Sequence, residues 1–130
     1  MSLHDLAEER SIAYHRAVAA RIERDPSLLE GVRARLDATI AAGGRSLPYA
    51  QAWRRLLERP LPELLAFLVD GGEEARALRQ STPFAGLLEP AERWRIWREV
   101  RARFERLERL PLSDERRAAI AATIRGLQVS

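Results

Sequence analysis

The chain has 130 residues, no cysteine and a formal net charge of +3 at pH 7. This length is sufficient for one domain around one core, and the lack of cysteine excludes disulfides and thiolate metal sites. The longest uncharged run is residues 80–88, far shorter than the ~20 apolar residues of a membrane-spanning helix. The acidic, amphipathic start MSLHDLAEER is unlike a signal peptide. We therefore expect a cytoplasmic protein that does not enter the membrane.

Arginine supplies all 22 basic residues. The charge is unevenly distributed, because residues 1–70 hold ten arginines and ten acids, whereas residues 71–130 hold twelve arginines and nine acids. Codon bias is the simple explanation for the missing lysine. A net charge of this size is weak evidence for nucleic-acid binding.

Helical periodicity covers most of the chain, and strand patterns are nearly absent. Proline and glycine divide the pattern into short segments, since proline fits only the first turn of a helix and glycine often follows its last turn. Leu110-Pro111 is expected to interrupt the chain, and Ser113 to cap the last helix. The sequence thus predicts an all-α fold, with residues 1–130 forming a single irregular bundle of six to seven helices. The predicted helices run from Ser2 to about 24, from Asp25-Pro26 to 42, and over 48–59, 61–69, 73–79, 90–109 and the residues after 113.

The apolar positions of these helices predict the core. Two arginines, Arg10 and Arg21, fall within the apolar stripe of the first helix, where an arginine must pair with a carboxylate, extend to water or face a partner. The residues predicted to face inward include Leu3, Leu6, Ala7, Tyr14, Ala17 and Val18 in the first helix, Tyr49 and Trp53 in the third, and Ile96, Trp97, Val100, Phe104 and Leu107 in the sixth.

No catalytic or metal-binding set is evident. His4 and His15 lie roughly 16 Å apart along one helix, too far to share a metal ion, and we expect both to be solvated. The Gly43–Ser46 segment has a faint likeness to a phosphate-binding loop, but it lacks the lysine and the preceding strand, so a helix C-cap is the simpler interpretation. We therefore predict no catalytic residue, no metal, no cofactor and no enzymatic activity.

The most distinctive stretch is residues 80–109, in which an uncharged segment leads into a helix rich in arginine and tryptophan. Arg95, Arg98, Arg106 and Arg109 share the helix face opposite the apolar stripe, with Trp94 beside them. Tryptophan and arginine are the residues most enriched at binding hot spots. A solvated helix face is the alternative interpretation. The predicted partner-binding residues are Trp94, Arg95, Arg98, Arg106, Pro83 and Phe84.

Two segments, HRAVAARIERDPSLLE at 15–30 and LRQSTPFAGLLEPAERWRIWR at 78–98, resemble a family of small bacterial all-helical proteins associated with nucleotidyltransferase-like toxins. This resemblance implies an antitoxin that binds and neutralises a protein partner. The main alternative is a DNA-binding regulator with a helix-turn-helix within 48–80, although residues 48–70 carry three arginines and three acids, a poor balance for contacting phosphates. A helical enzyme using His15 and nearby acids is a third alternative.

Overall fold

The computed structural model describes residues 3–108 and 114–129, and within them it contains seven helices and no strand. The predicted all-α class and number of helices are confirmed. The predicted features at Ser2, Arg109, Leu110-Pro111 and Ser113 lie outside the described residues. The helices are α1 (Leu3–Arg24), α2 (Leu28–Ala42), α3 (Leu47–Leu56), α4 (Leu61–Leu68), α5 (Glu73–Arg79), α6 (Pro90–Glu108) and α7 (Asp114–Val129).

The chain divides into two compact units. One, here called the terminal unit, comprises Met1–Tyr14 and Glu89–Ser130, and the other, the central unit, comprises His15–Leu88. Helix α1 therefore begins in the terminal unit and ends in the central unit, whereas α2 to α5 belong entirely to the central unit.

The core of the central unit is built around Trp53. Its indole is fully buried, and Nε1 donates a hydrogen bond of 3.0 Å to the carbonyl oxygen of Leu78. The rings of Phe67 and Phe84 meet it edge-on, with centroids 5.9 and 5.6 Å away, the arrangement that aromatic quadrupoles favour. Helix α2 packs against α3, and α4 against α5.

The ends of two central helices have identifiable causes. Helix α2 stops at Gly43, whose φ of +71° and ψ of −150° place it in a region that is essentially restricted to glycine. Arg79 is buried in α5, and its Nη1 donates to the carbonyl oxygens of Asp70, at 2.6 Å, and Leu68, at 3.4 Å. The side chain thereby satisfies carbonyl groups that the end of α4 leaves without helical partners.

In the terminal unit, α6 contacts α7, and an ion pair of 2.8 Å joins Glu9 of α1 to Arg125 of α7. The inward face predicted for α6 is confirmed at four positions and wrong at a fifth. Trp97 is 37% exposed. The buried positions of α6 are Ile96, Val100, Phe104 and Leu107.

The predicted stripe of α1 is largely wrong. Val18 is buried, but Leu6, Tyr14 and Ala17 are only partly covered and Ala7 is exposed, while the side chain of Leu3 lies outside the described residues. The buried apolar residues of α1 lie on another face of the helix, which Ile12 and Ile22 share with Val18. The buried residues of α1 are Ile12, His15, Val18 and Ile22.

Candidate functional site

Two tryptophans lie together on the outside of α6. The side chain of Trp94 is 60% exposed and that of Trp97 is 37% exposed. Their ring centroids are 5.4 Å apart with an interplanar angle of 72°, which is an edge-to-face pair. The pairing follows from the sequence, because residues three positions apart are neighbours on a helix surface. Exposed large aromatics are uncommon enough that a pair of them marks a candidate interaction surface.

Arg10 of α1 extends this aromatic pair. Its guanidinium carbon lies 5.4 Å from the centroid of the Trp97 ring, within the range of a cation–π interaction. The arginine that the sequence places in the apolar stripe therefore contacts an aromatic face. We call Arg10, Trp94 and Trp97 the tryptophan surface. The sequence places Trp94 at the surface, but it gives no signal for the exposure of Trp97, because the contact of that ring with Arg10 joins positions 87 residues apart.

The predicted arginines lie on the same helix as the two tryptophans. Arg95, Arg98 and Arg106 are all exposed. Arg95 lies 3.9 Å from the partly buried Glu92, and its own side chain remains accessible to solvent. Helix α6 therefore presents positive charge as well as aromatic area.

Pro83 and Phe84 belong to the central unit, and the prediction that Phe84 contacts a partner is wrong. Phe84 is fully buried, since its ring packs against Trp53 and lies 6.3 Å, centroid to centroid, from that of His15. Pro83 is partly exposed and lines a surface cavity of about 270 Å³. Arg35 of α2 also lines this cavity, which sequence analysis missed.

The histidine predictions are also corrected in part. His15 is buried rather than solvated, and its Nε2 lies 2.8 Å from Oγ1 of Thr82. The His4 side chain lies outside the described residues. Across residues 3–108 and 114–129, no three histidine, aspartate or glutamate side chains gather as metal ligands. In that same part of the chain, no helix combines the length and apolar character needed to cross a bilayer.

In the segment proposed as a helix-turn-helix, acids balance the arginines, and two of the arginines are buried or paired. Residues 48–80 contain five arginines and five acids. Arg79 is buried, and Arg54 is 3.0 Å from Asp37 and 3.3 Å from Glu58. DNA-binding surfaces instead direct arginines toward phosphates, so the electrostatics of this segment do not favour that role.

No family model matches the chain, and no curated protein or solved structure matches it with significant similarity. The two segments on which the sequence-based resemblance was proposed each join two helices. The first runs from the middle of α1 into α2, and the second runs from the end of α5 into α6.

Proposed function

We propose that this chain is a non-enzymatic, antitoxin-like protein that binds a partner protein through the tryptophan surface and neutralises it. The observation that carries the proposal is the exposure of Trp94 and Trp97 as a contacting pair. Burying this aromatic area in an interface would remove it from water, and such anchors dominate binding energies. The resemblance of residues 78–98 supplies the class of partner, a nucleotidyltransferase-like toxin in the bacterial cytoplasm.

The charge around the tryptophan surface supports an acidic partner. Arg95, Arg98 and Arg106 are exposed on the same helix, and Arg10 already lies against Trp97. Complementary charges steer association, whereas desolvated aromatic anchors slow dissociation. An acidic surface or catalytic cleft on the toxin would meet both requirements.

The test begins with the purified chain as bait in a lysate of its native host, followed by reconstitution with the purified partner. Trp94→Ala should weaken that complex by about 30-fold, corresponding to the ~2 kcal/mol of a hot-spot residue, mainly through faster dissociation. Its melting temperature should change little because the side chain is 60% exposed.

Charge reversal tests the electrostatic part separately. Arg95→Glu with Arg98→Glu should slow association, and the effect should disappear at high salt. The matched control is Arg45→Glu with Arg55→Glu, which makes the same charge change at two exposed positions of the central unit. It should leave the association rate nearly unchanged.

The proposal is wrong if the wild type and the Trp94→Ala, Arg95→Glu, Arg98→Glu triple variant capture the same proteins. A nanomolar, sequence-dependent gel shift with DNA at physiological salt would instead assign the chain to the regulators. We expect little or no specific DNA binding by the isolated protein.

A further inference from the structure

The cavity lined by Pro83 combines one arginine with several hydroxyl groups on a partly apolar lining. Five of its lining residues carry hydroxyl groups, and Arg35 is the one charged residue in its described lining, which contains no carboxylate. The lining comes from α2, from α3 with the residue before it, and from the segment that follows α5. Donors therefore surround the cavity from three separate parts of the chain.

Not all the hydroxyl groups are directed at the cavity. Thr39 donates to the carbonyl oxygen of Arg35 at 3.0 Å, and Ser81 donates to that of Leu78 at 3.2 Å. Ser46 precedes α3 without making a side-chain capping bond. The hydroxyls that remain to contact a ligand are therefore those of Ser46, Tyr49 and Thr82.

Thr82 is held in a defined arrangement. Its Oγ1 accepts a hydrogen bond of 3.2 Å from the backbone N–H of Phe84 and lies 2.8 Å from Nε2 of the buried His15. A hydroxyl has one proton and two lone pairs. When Nε2 of His15 carries the proton and donates it, both lone pairs of Thr82 are occupied. The hydroxyl proton of Thr82 then becomes available to a ligand in the cavity.

We propose that this cavity binds a small phosphate monoester. The guanidinium of Arg35 donates through Nη2 to the carbonyl oxygen of Pro83 at 3.4 Å, a long bond that leaves most of its five N–H groups for an anion. Arginine is well suited to phosphate recognition, and donors on three sides match a tetrahedral group better than a planar carboxylate.

The size of the cavity and one aromatic side chain define the rest of the ligand. A volume of about 270 Å³ is slightly below the usual ~300–1,000 Å³ of small-molecule sites, a size that suits a molecule such as a sugar phosphate. The ring of Tyr49 is 48% exposed and can cover the organic part. The proposal does not depend on the tryptophan surface, which lies in the other unit.

Calorimetric titration of the full chain tests this proposal, with ribose 5-phosphate, ribose, inorganic phosphate and malate as probes. Ribose 5-phosphate should bind, and ribose and malate should not. Arg35→Gln should weaken binding by roughly tenfold or more, because it removes a charged hydrogen-bond donor. Arg55→Gln is the control, since Arg55 is likewise exposed but does not line the cavity.

A second measurement follows the ring nitrogens of His15 by NMR. In the complex with ribose 5-phosphate, His15 should be protonated at Nε2, because that state releases the Thr82 proton. A His15 ring protonated only at Nδ1 in the saturated complex would overturn the role of Thr82. Absent binding, tighter binding of ribose or malate, or equal losses in Arg35→Gln and Arg55→Gln would overturn the site. Equal affinity for inorganic phosphate would overturn the assignment to a monoester.

Discussion

Replacing Trp53 with phenylalanine separates the contributions of its ring and its hydrogen bond. The smaller ring can still meet Phe67 and Phe84 edge-on, but it cannot donate to the carbonyl oxygen of Leu78. That oxygen also accepts bonds from the backbone N–H and the hydroxyl of Ser81, at 3.1 and 3.2 Å. It therefore keeps partners in the variant, and the full penalty of an unpaired buried group is avoided.

The expected loss of unfolding free energy follows from these contacts. The lost hydrogen bond accounts for about 1 kcal/mol, and the smaller ring in a fully enclosed position for about 1–2 kcal/mol. The sum for Trp53→Phe is about 2–3 kcal/mol. For a chain of this size, each kcal/mol lowers the melting temperature by about 3–5 °C, so we expect a decrease of ~6–15 °C.

Thermal and urea unfolding followed by far-ultraviolet circular dichroism measure this loss. Trp97→Phe is the matched control, because it makes the same chemical change at a position that is 37% exposed and keeps an aromatic face for Arg10. Its effect should stay within about 0.5 kcal/mol. Equal shifts in the two variants would refute the assignment of Trp53 to the core and of Trp97 to the surface.

Three further comparisons test the backbone and the buried polar groups by the same unfolding assay. Gly43→Ala should lower the free energy of unfolding by about 1–3 kcal/mol because alanine is strained at that backbone conformation. Gly31→Ala, in the interior of α2, should raise the free energy of unfolding by about 0.5–1 kcal/mol. Effects of the same sign in the two variants would contradict this. Thr82→Val should lower the free energy of unfolding by about 1–3 kcal/mol because it removes the hydroxyl next to His15. Thr82→Ser keeps a hydroxyl and should therefore retain most of the wild-type stability. Arg79→Met should lower the free energy of unfolding by about 1–3 kcal/mol because the carbonyl groups after α4 lose their donor. A variant as stable as the wild type would contradict this and would show that water replaces the guanidinium.

Helix boundaries were the most predictable part of the fold, because they depend on local chemistry. Proline or glycine follows within three residues of the ends of α1, α2 and α4, and the predicted ends of α1 and α2 agree with the structure. Helix α3, which is farther from the next proline, ends at Leu56 and not at 59. The start of α2 was less accurate. Asp25 was predicted to cap the helix, and its carboxylate does accept from the backbone N–H of Ser27 at 3.2 Å, the bond that a capping aspartate makes. The backbone bonds that follow run to carbonyl groups three residues back, so a turn precedes the helix and α2 begins only at Leu28.

The burial of particular side chains was less predictable, because it depends on contacts distant in sequence. His15 was expected to be solvated, yet it is buried beside Thr82, 67 positions later in the chain. Nothing in α1 alone indicates this partner. The many alanines of α1 also make its buried face hard to identify from the sequence, since alanine is compatible with either face of the helix.

The misplacement of Trp97 shows why the candidate surface could be only partly predicted. Trp97 lies at the border of the apolar stripe of α6, where the periodicity fits either burial or exposure. Its environment is decided by Arg10, which comes from α1 and contacts the ring. A charged group can lie over an aromatic face while keeping access to water, so the pair can remain at the surface. Trp94 lies further from the stripe and was therefore placed correctly, with 60% of its side chain exposed. Because the contact between Arg10 and Trp97 joins two helices that are far apart in the sequence, the apolar pattern of α6 alone could not show that Trp97 is exposed.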